Sequence, residues 1–178
     1  MLPENIQSGE LHLRPFQSQD APSVFAYWRS DPGWAQFNAS VPADFQLADA
    51  QSFVDEMRHR DRAQAPNWAV VCGDGVVGVV SLTFEQGRRV AVIGFGVHGD
   101  LRGRGLAGQA TSAVIDVAFK ETRQLQRIRA HADARNAASM KVLQKLGFTH
   151  EGTLRQNQFA KGQLVDEVVF GLLRDEWD

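Results

Sequence analysis

The chain has 178 residues, 43% of them hydrophobic and 22% charged, with a net charge of −2. That length suits one domain spanning 1–178 with a substantial core, and the charge balance excludes a polybasic binder of nucleic acid or membrane surfaces. No apolar run is long enough to span a membrane, residues Met1–Glu10 do not resemble a secretory leader, and the single Cys72 excludes an internal disulfide, so the composition predicts a cytoplasmic protein.

In chain order, Leu11-His12-Leu13-Arg14 alternates in polarity and predicts a first strand. Asp20 is placed to cap a helix running to about Arg29, with Pro22 in its first turn. Ser30-Asp31-Pro32-Gly33 breaks that helix, and a loop holding Trp34 and Phe37 follows. A second helix is expected from Leu47 to Arg62, with Phe53, Val54 and Met57 inward and Asp55, Arg58 and Arg62 outward. Trp68–Cys72, Val76–Phe84 and Arg89–Val97 read as three strands, joined by turns at Asp74-Gly75 and Gln86-Gly87. Cys72 lies in the first of these apolar runs and is expected to be a buried, inert thiol.

The strand ending Ile93-Gly94-Phe95-Gly96-Val97 runs into Arg102-Gly103-Arg104-Gly105-Leu106-Ala107-Gly108 and then a helix to about Thr122. Glycines permit close approach of the backbone to a ligand, and the first N–H groups of a helix have no internal partner. Those amides, the helix dipole and two arginines make a site for a pyrophosphate. Neither a P-loop nor a dinucleotide fingerprint is present, and the residues alone also allow an ordinary strand-to-helix turn with solvated arginines. On the helix itself, Gln109, Ser112, Asp116 and Lys120 form one narrow polar stripe.

Arg127–Ala132 predicts another strand, and Ala137–Leu146 a helix closed by Gly147 in a Schellman arrangement that sets Phe148 against Leu143. Thr149–Phe159 and Gln163–Leu173 form a closing hairpin around Lys161-Gly162, a candidate homodimer interface. The element order implies an α/β (mixed α+β) fold.

Arg102-Gly103-Arg104-Gly105-Leu106-Ala107 resembles the (Gln/Arg)-x-x-Gly-x-(Gly/Ala) motif of the GNAT N-acetyltransferase superfamily. Asn136-Ala137-Ala138-Ser139 and Lys145-Leu146-Gly147-Phe148 resemble its second signature. Glu151–Arg155, Asp166 and Leu172–Trp177 are similar to the branch of ribosomal-protein N-terminal acetyltransferases named RimJ and RimL. The resemblance implies a GNAT fold: a twisted, mostly antiparallel sheet of about seven strands with a splayed parallel pair, flanked by about four helices. It implies an acetyl-coenzyme A-dependent N-acetyltransferase that acetylates a primary amine, either a protein N-terminus or a small molecule, by direct attack in a ternary complex without metal. A coenzyme A-binding module of the same fold with weakened catalysis is the alternative.

The same resemblance implies site residues. Acetyl-coenzyme A would be held by Phe95, Gly96, Val97, Arg102, Gly103, Arg104, Gly105, Leu106, Ala107, Gly108 and Asn136. Its pantetheine arm would lie between the splayed strands Ile93–Val97 and Arg127–Ala132. It implies Ser139 and Asn136 as catalytic residues, with Ser139 protonating the departing thiolate; Glu85 joins the candidate set by its place near the end of the preceding strand. Asn136 is also a helix N-cap by its residue type. Trp34 and Phe37 are expected on the acceptor side, and Phe45 in a core. Related chains often carry a glutamate base in the strand before the loop, where this chain has Val92. Glu85 is the best local substitute, with His98 and His131 as others. A missing strong base favours acceptors of low pKa: an α-amine near 7.7–8.0 is partly deprotonated at neutrality, whereas a lysine amine near 10.4 is not.

Overall fold

The computed structural model describes residues 1–30, 37, 41, 42 and 44–177. Eight strands form one sheet: β1 (Ile6–Ser8), β2 (Leu11–Arg14), β3 (Asn67–Cys72), β4 (Gly75–Glu85), β5 (Val90–Val97), β6 (Arg127–Asp133), β7 (Thr149–Ala160) and β8 (Gln163–Leu173). Their spatial order is β1-β2-β3-β4-β5-β6-β8-β7, and every neighbouring pair is antiparallel except β5 with β6. The eighth strand is β1, too short to show a period, which pairs Ile6 with Leu13 and buries Ile6.

Among the described residues the α-helices are α1 (Ala21–Ser30), α2 (Leu47–His59), α3 (Leu106–Glu121) and α4 (Ala137–Lys145). Alternation along the strands sends side chains to opposite faces of the sheet, so two cores form. One face packs Leu11, Leu13, Leu82, Phe84, Ile93, Ile128 and Phe170 against Val114, Ile115 and Ala118 of α3 and Leu143 of α4. The other packs Ala69 and Val76 against Val24, Tyr27 and Trp28 of α1 and Ala50, Val54 and Met57 of α2. Truncating a side chain as fully buried as Ile115 or Ile128 to Ala costs about 2–5 kcal/mol.

The local signals resolve in detail. Gly147 has φ +83°, and its N–H bonds the Gln144 carbonyl at 3.1 Å while the Phe148 N–H reaches Leu143 at 3.1 Å. That is the predicted Schellman closure. Lys161 (φ +50°) and Gly162 (φ +80°) both take the positive φ that a two-residue type I′ hairpin turn requires. The Lys161 ammonium donates to the Val41 carbonyl, and burial lowers its pKa.

Several expectations change. Asp20 does not cap α1; it ends a one-turn 3-10 helix, is buried, and receives two 2.8 Å hydrogen bonds from the Arg14 guanidinium. The second helix stops at His59 rather than Arg62, and Arg62 is not outward: it donates to the Asn67 carbonyl at 2.7 Å and lies 5.3 Å over the Trp68 ring. The stem of such a side chain packs well on an aromatic face, a contact that helical periodicity does not show. The polar stripe of α3 serves the chain's two ends. Gln109 donates to the Ser8 carbonyl at 2.6 Å, and Asp116 accepts from the Trp177 indole at 2.8 Å. Cys72 is half-buried, with its sulfur 3.7 Å from a Glu10 carboxylate oxygen.

Candidate active site

The parallel pair β5 and β6 runs in register from Val90 with Arg127 to Ile93 with Ala130, and pairing then stops. Both strands continue, β5 to Val97 and β6 to Asp133, so they part beyond Ile93. Backbone polar groups at such a split lack their ladder partners on one side and must find others. β5 stays bound to β4 through this stretch, with Gly94 opposite Ser81 and Val97 opposite Gly78. A Cβ on Gly78 would lie 2.3 Å from the Gly96 carbonyl oxygen, and one on Gly94 would lie 3.2 Å from Ser81 Oγ. Gly78 therefore admits no side chain, and Gly94 is closely backed.

A cavity of about 470 Å³ opens on the α3 and α4 side of the split. Phe95, Gly96 and Val97 of β5 form one wall, and Ala138, Ser139, Lys141, Val142 and Lys145 of α4 form another. Its end is the loop, through Arg102, Gly103, Gly105, Leu106, Ala107 and Gly108. Gly103 and Gly105 take φ of +79° and +81°, in the left-handed region open to glycine. Gly105 is the N-cap of α3, and the Gln109 N–H bonds its carbonyl at 2.9 Å. The amides of Leu106, Ala107 and Gly108 thus belong to the turn whose N–H groups have no intrahelical acceptor. They edge the cavity, where an anion gains from them and from the helix dipole.

A second cavity of about 340 Å³ lies on the opposite side of the split. Val79 and Ser81 come from β4, His131 and Ala132 from β6, Phe53 and Met57 from α2, and Gln158 from β7; Phe37 and Arg60 complete its rim. Phe95, Gly96 and Ser139 line both cavities. The two spaces therefore meet at the split, with the Ser139 residue at the junction.

The turn from β6 to α4 positions Ser139. Asn136 is the N-cap of α4, and its Oδ1 accepts the Ser139 N–H at 3.1 Å. Ahead of it, the buried Asp133 carboxylate accepts from the Arg135 amide at 2.8 Å and from the Arg135 guanidinium at 2.6 and 2.9 Å. Those guanidinium bonds hold the Asp133 carboxyl below the usual carboxylate range, against the opposing effect of burial.

Of the residues expected at a coenzyme, Phe95, Gly96, Val97, Arg102, Gly103, Gly105, Leu106, Ala107 and Gly108 line the first cavity. Arg104 and Asn136 do not: Arg104 pairs with Glu10 at 3.3 Å, and the Asn136 side chain is engaged as the cap. Glu85 lines neither cavity. It sits at the far end of β4, paired with Arg129 at 2.7 Å, because its register partner is Val90 and the split begins four residues along, at Gly94. His98 lines neither: it hydrogen-bonds Ser30 at 3.1 Å and stacks on Tyr27. Phe37 lines the second cavity, Phe45 packs on Trp28 in the core, and Trp34 lies outside the described residues. Sequence reasoning missed Lys141 and Lys145. Their signal was spacing: with Ala138 and Val142 they occupy one helical face. It also missed Arg60 and Asp133, which no local pattern marks.

Residues 10–149 match the family model described as the acetyltransferase (GNAT) domain. An uncharacterized N-acetyltransferase of Bacillus licheniformis, p20, is 31% identical over 98% of both chains. The probable N-acetyltransferase YjcK of Bacillus subtilis is 35% identical over 96% of this chain and 98% of its own. The solved structure of RimL, a ribosomal L7/L12 alpha-N-protein acetyltransferase in complex with coenzyme A, shares the fold at a TM-score of 0.84 and 21% identity. That match covers 97% of this chain and 99% of RimL.

Proposed function

Because the chain belongs to the GNAT acetyltransferase family and is an N-acetyltransferase of that type, we propose that it moves the acetyl group of acetyl-coenzyme A to a protein N-terminal α-amine. The carrying observation is the meeting of two cavities across the β5–β6 split, with Phe95, Gly96 and Ser139 common to both. A donor on one side and an acceptor on the other reach each other only there, as direct attack in a ternary complex requires.

The residues of the first cavity fit the coenzyme. The amides of Leu106–Gly108 and the Arg102 side chain bind its pyrophosphate, and Lys141 and Lys145 add positive charge along α4. The parted edge of β5 offers main-chain partners to the amides of the pantetheine arm, and a β5 N–H near Val97 stabilises charge developing on the carbonyl oxygen. Acetyl-coenzyme A supplies the activated acyl group. Asn136 acts by holding the start of α4, so that the Ser139 hydroxyl can protonate the thiolate. No helix among the described residues is long and apolar enough to cross a membrane, and a cytoplasmic location suits the lone cysteine. A protein acceptor is supported by the likeness to RimL and by the α-amine's larger neutral fraction at pH 7.

The test is an assay of free thiol release from acetyl-coenzyme A, with mass detection of the acetylated product, using a seryl tripeptide amide, glycinamide and a lysine side-chain analogue. Acetylation of the first two and little of the third is expected. Tight acetyl-coenzyme A binding with no acetylation of any amine would instead support the weakened coenzyme-binding module that the absent carboxylate at Val92 suggests.

A further inference from the structure

Among the described residues lining the acceptor cavity, His131 carries the one imidazole, and none of the others carries a carboxylate. We infer that His131, oriented by Glu167, is the general base that takes the acceptor's proton. This rests on the acetyl-transfer reading above.

Three observations carry it. First, His131 is on β6 one residue past the last parallel pair, Ile93 with Ala130, so it stands where the sheet opens. It shares the second cavity with Ser139, Phe95 and Gly96, the residues of the junction. Second, strand alternation puts His131 on the same face as Arg129, and Arg129 pairs with Val92. His131 therefore serves the face on which this chain lacks a carboxylate at Val92. Third, a Glu167 carboxylate oxygen lies 3.4 Å from His131 Nδ1, and Glu167 is itself fixed by the Asn157 amide at 2.7 Å. A carboxylate beside Nδ1 favours the tautomer with its proton there, which leaves the Nε2 lone pair for the acceptor.

The other charges around His131 are already engaged or lie across the cavity. Arg129, two residues back on β6, is paired with Glu85; Asp133, two residues on, is paired with Arg135; Arg60 faces the cavity from the end of α2. β5 presents Gly94 and no charge.

In the step, the acceptor ammonium gives one proton to His131 Nε2. The nitrogen lone pair then forms the C–N bond and the C–S bond breaks with its electron pair on sulfur. The Ser139 hydroxyl gives sulfur a proton, and the surplus proton on the new amide nitrogen restores the serine. His131 passes its proton to solvent, so one proton is released per turnover. An imidazole base matches an α-amine, whose ordinary pKa of about 7.7–8.0 is within reach, and mismatches a lysine near 10.4.

The experiment compares wild type, His131→Gln, His131→Ala and Glu167→Gln at saturating acetyl-coenzyme A. The probes are a seryl tripeptide amide and methoxyamine, a weakly basic amine that is neutral at the assay pH. Calorimetry with acetyl-coenzyme A and thermal melting check binding and folding. His131→Gln is expected to lose about 10²-fold or more in kcat with the peptide and far less with methoxyamine, with coenzyme affinity unchanged. Added imidazole should restore part of the His131→Ala rate, and Glu167→Gln should lose less than His131→Gln. Peptide kcat in a folded His131→Gln within about threefold of wild type would overturn the assignment, as would equal losses on both probes. A wild type that binds acetyl-coenzyme A yet acetylates neither probe would overturn the acetyl-transfer reading itself.

Discussion

The two sides of the β5–β6 split are built from different materials. The proposed coenzyme side leads with main chain, in glycines of the left-handed region, the amides that open α3 and the parted edge of β5, to which Arg102, Lys141 and Lys145 add charge. The proposed acceptor side is made of side chains brought from α2, β4, β6 and β7, which are distant in sequence. Main-chain sites tolerate change wherever backbone geometry survives, and side-chain sites fail one residue at a time. In the proposed reading the first side therefore serves a reaction shared across the family, and the second is free to define the acceptor.

The sharpest way to break that contrast is to put charge into the main-chain site. Gly105→Glu is expected to abolish acetyl-coenzyme A binding in calorimetry, because a carboxylate would stand against the pyrophosphate at a helix N-terminus. Gly105→Ala carries the same left-handed strain, about 1–2 kcal/mol, without the charge, and should retain measurable binding. Equal losses in the two variants would assign the effect to strain alone.

Ser139→Ala addresses the junction between the two sides. It is expected to lower kcat toward the low end of the roughly 10²–10⁴-fold effect of a lost acid, with coenzyme affinity nearly unchanged, since its hydroxyl matters most as charge develops on sulfur. A wild-type kcat would leave Ser139 as a helix-start residue only.

Asp133→Asn tests the turn that carries Ser139, and it has a pH signature. The Asp133 carboxyl is held below its ordinary value, so its stabilising contribution is present in full above the unfolded pKa of about 3.9. It is lost as pH falls through the lowered folded value. The difference in melting temperature between wild type and Asp133→Asn should therefore be constant near neutrality and vanish in strong acid. A difference that persists at low pH would reject this origin. The smallest effect is expected at Glu85→Gln, which breaks a half-exposed pair with Arg129 away from both cavities. Exposed and half-exposed pairs contribute about 1 kcal/mol or less, and kcat should change by less than tenfold.

The same contrast explains what the sequence revealed. The Gly147 closure, the Asn136 cap, the Lys161-Gly162 turn and the Arg102–Gly108 loop were legible because each depends on residues within a few positions of one another. Glu85 misled because proximity along the chain stood in for register: it ends the strand beside β5, yet pairs with Val90 rather than with the opened residues. Arg60 and Arg62 sit two residues apart beyond α2, and only the fold sends one to the second cavity and the other onto Trp68. His131 was visible as an imidazole on a strand; its partner Glu167 becomes its neighbour only when β8 pairs with β6.

The position of β8 also bears on how the protein comes into being. Synthesis makes β7 before β8, yet β8 lies between β6 and β7 in the finished sheet. While residues 163–173 are still within the ribosome, β6 has an open edge, and such edges invite pairing with other chains. β6 carries His131 and leads into the turn that sets Ser139, so the strand that seals the sheet also completes the site. The nascent chain therefore cannot bring Glu167 beside His131 before β8 itself has emerged.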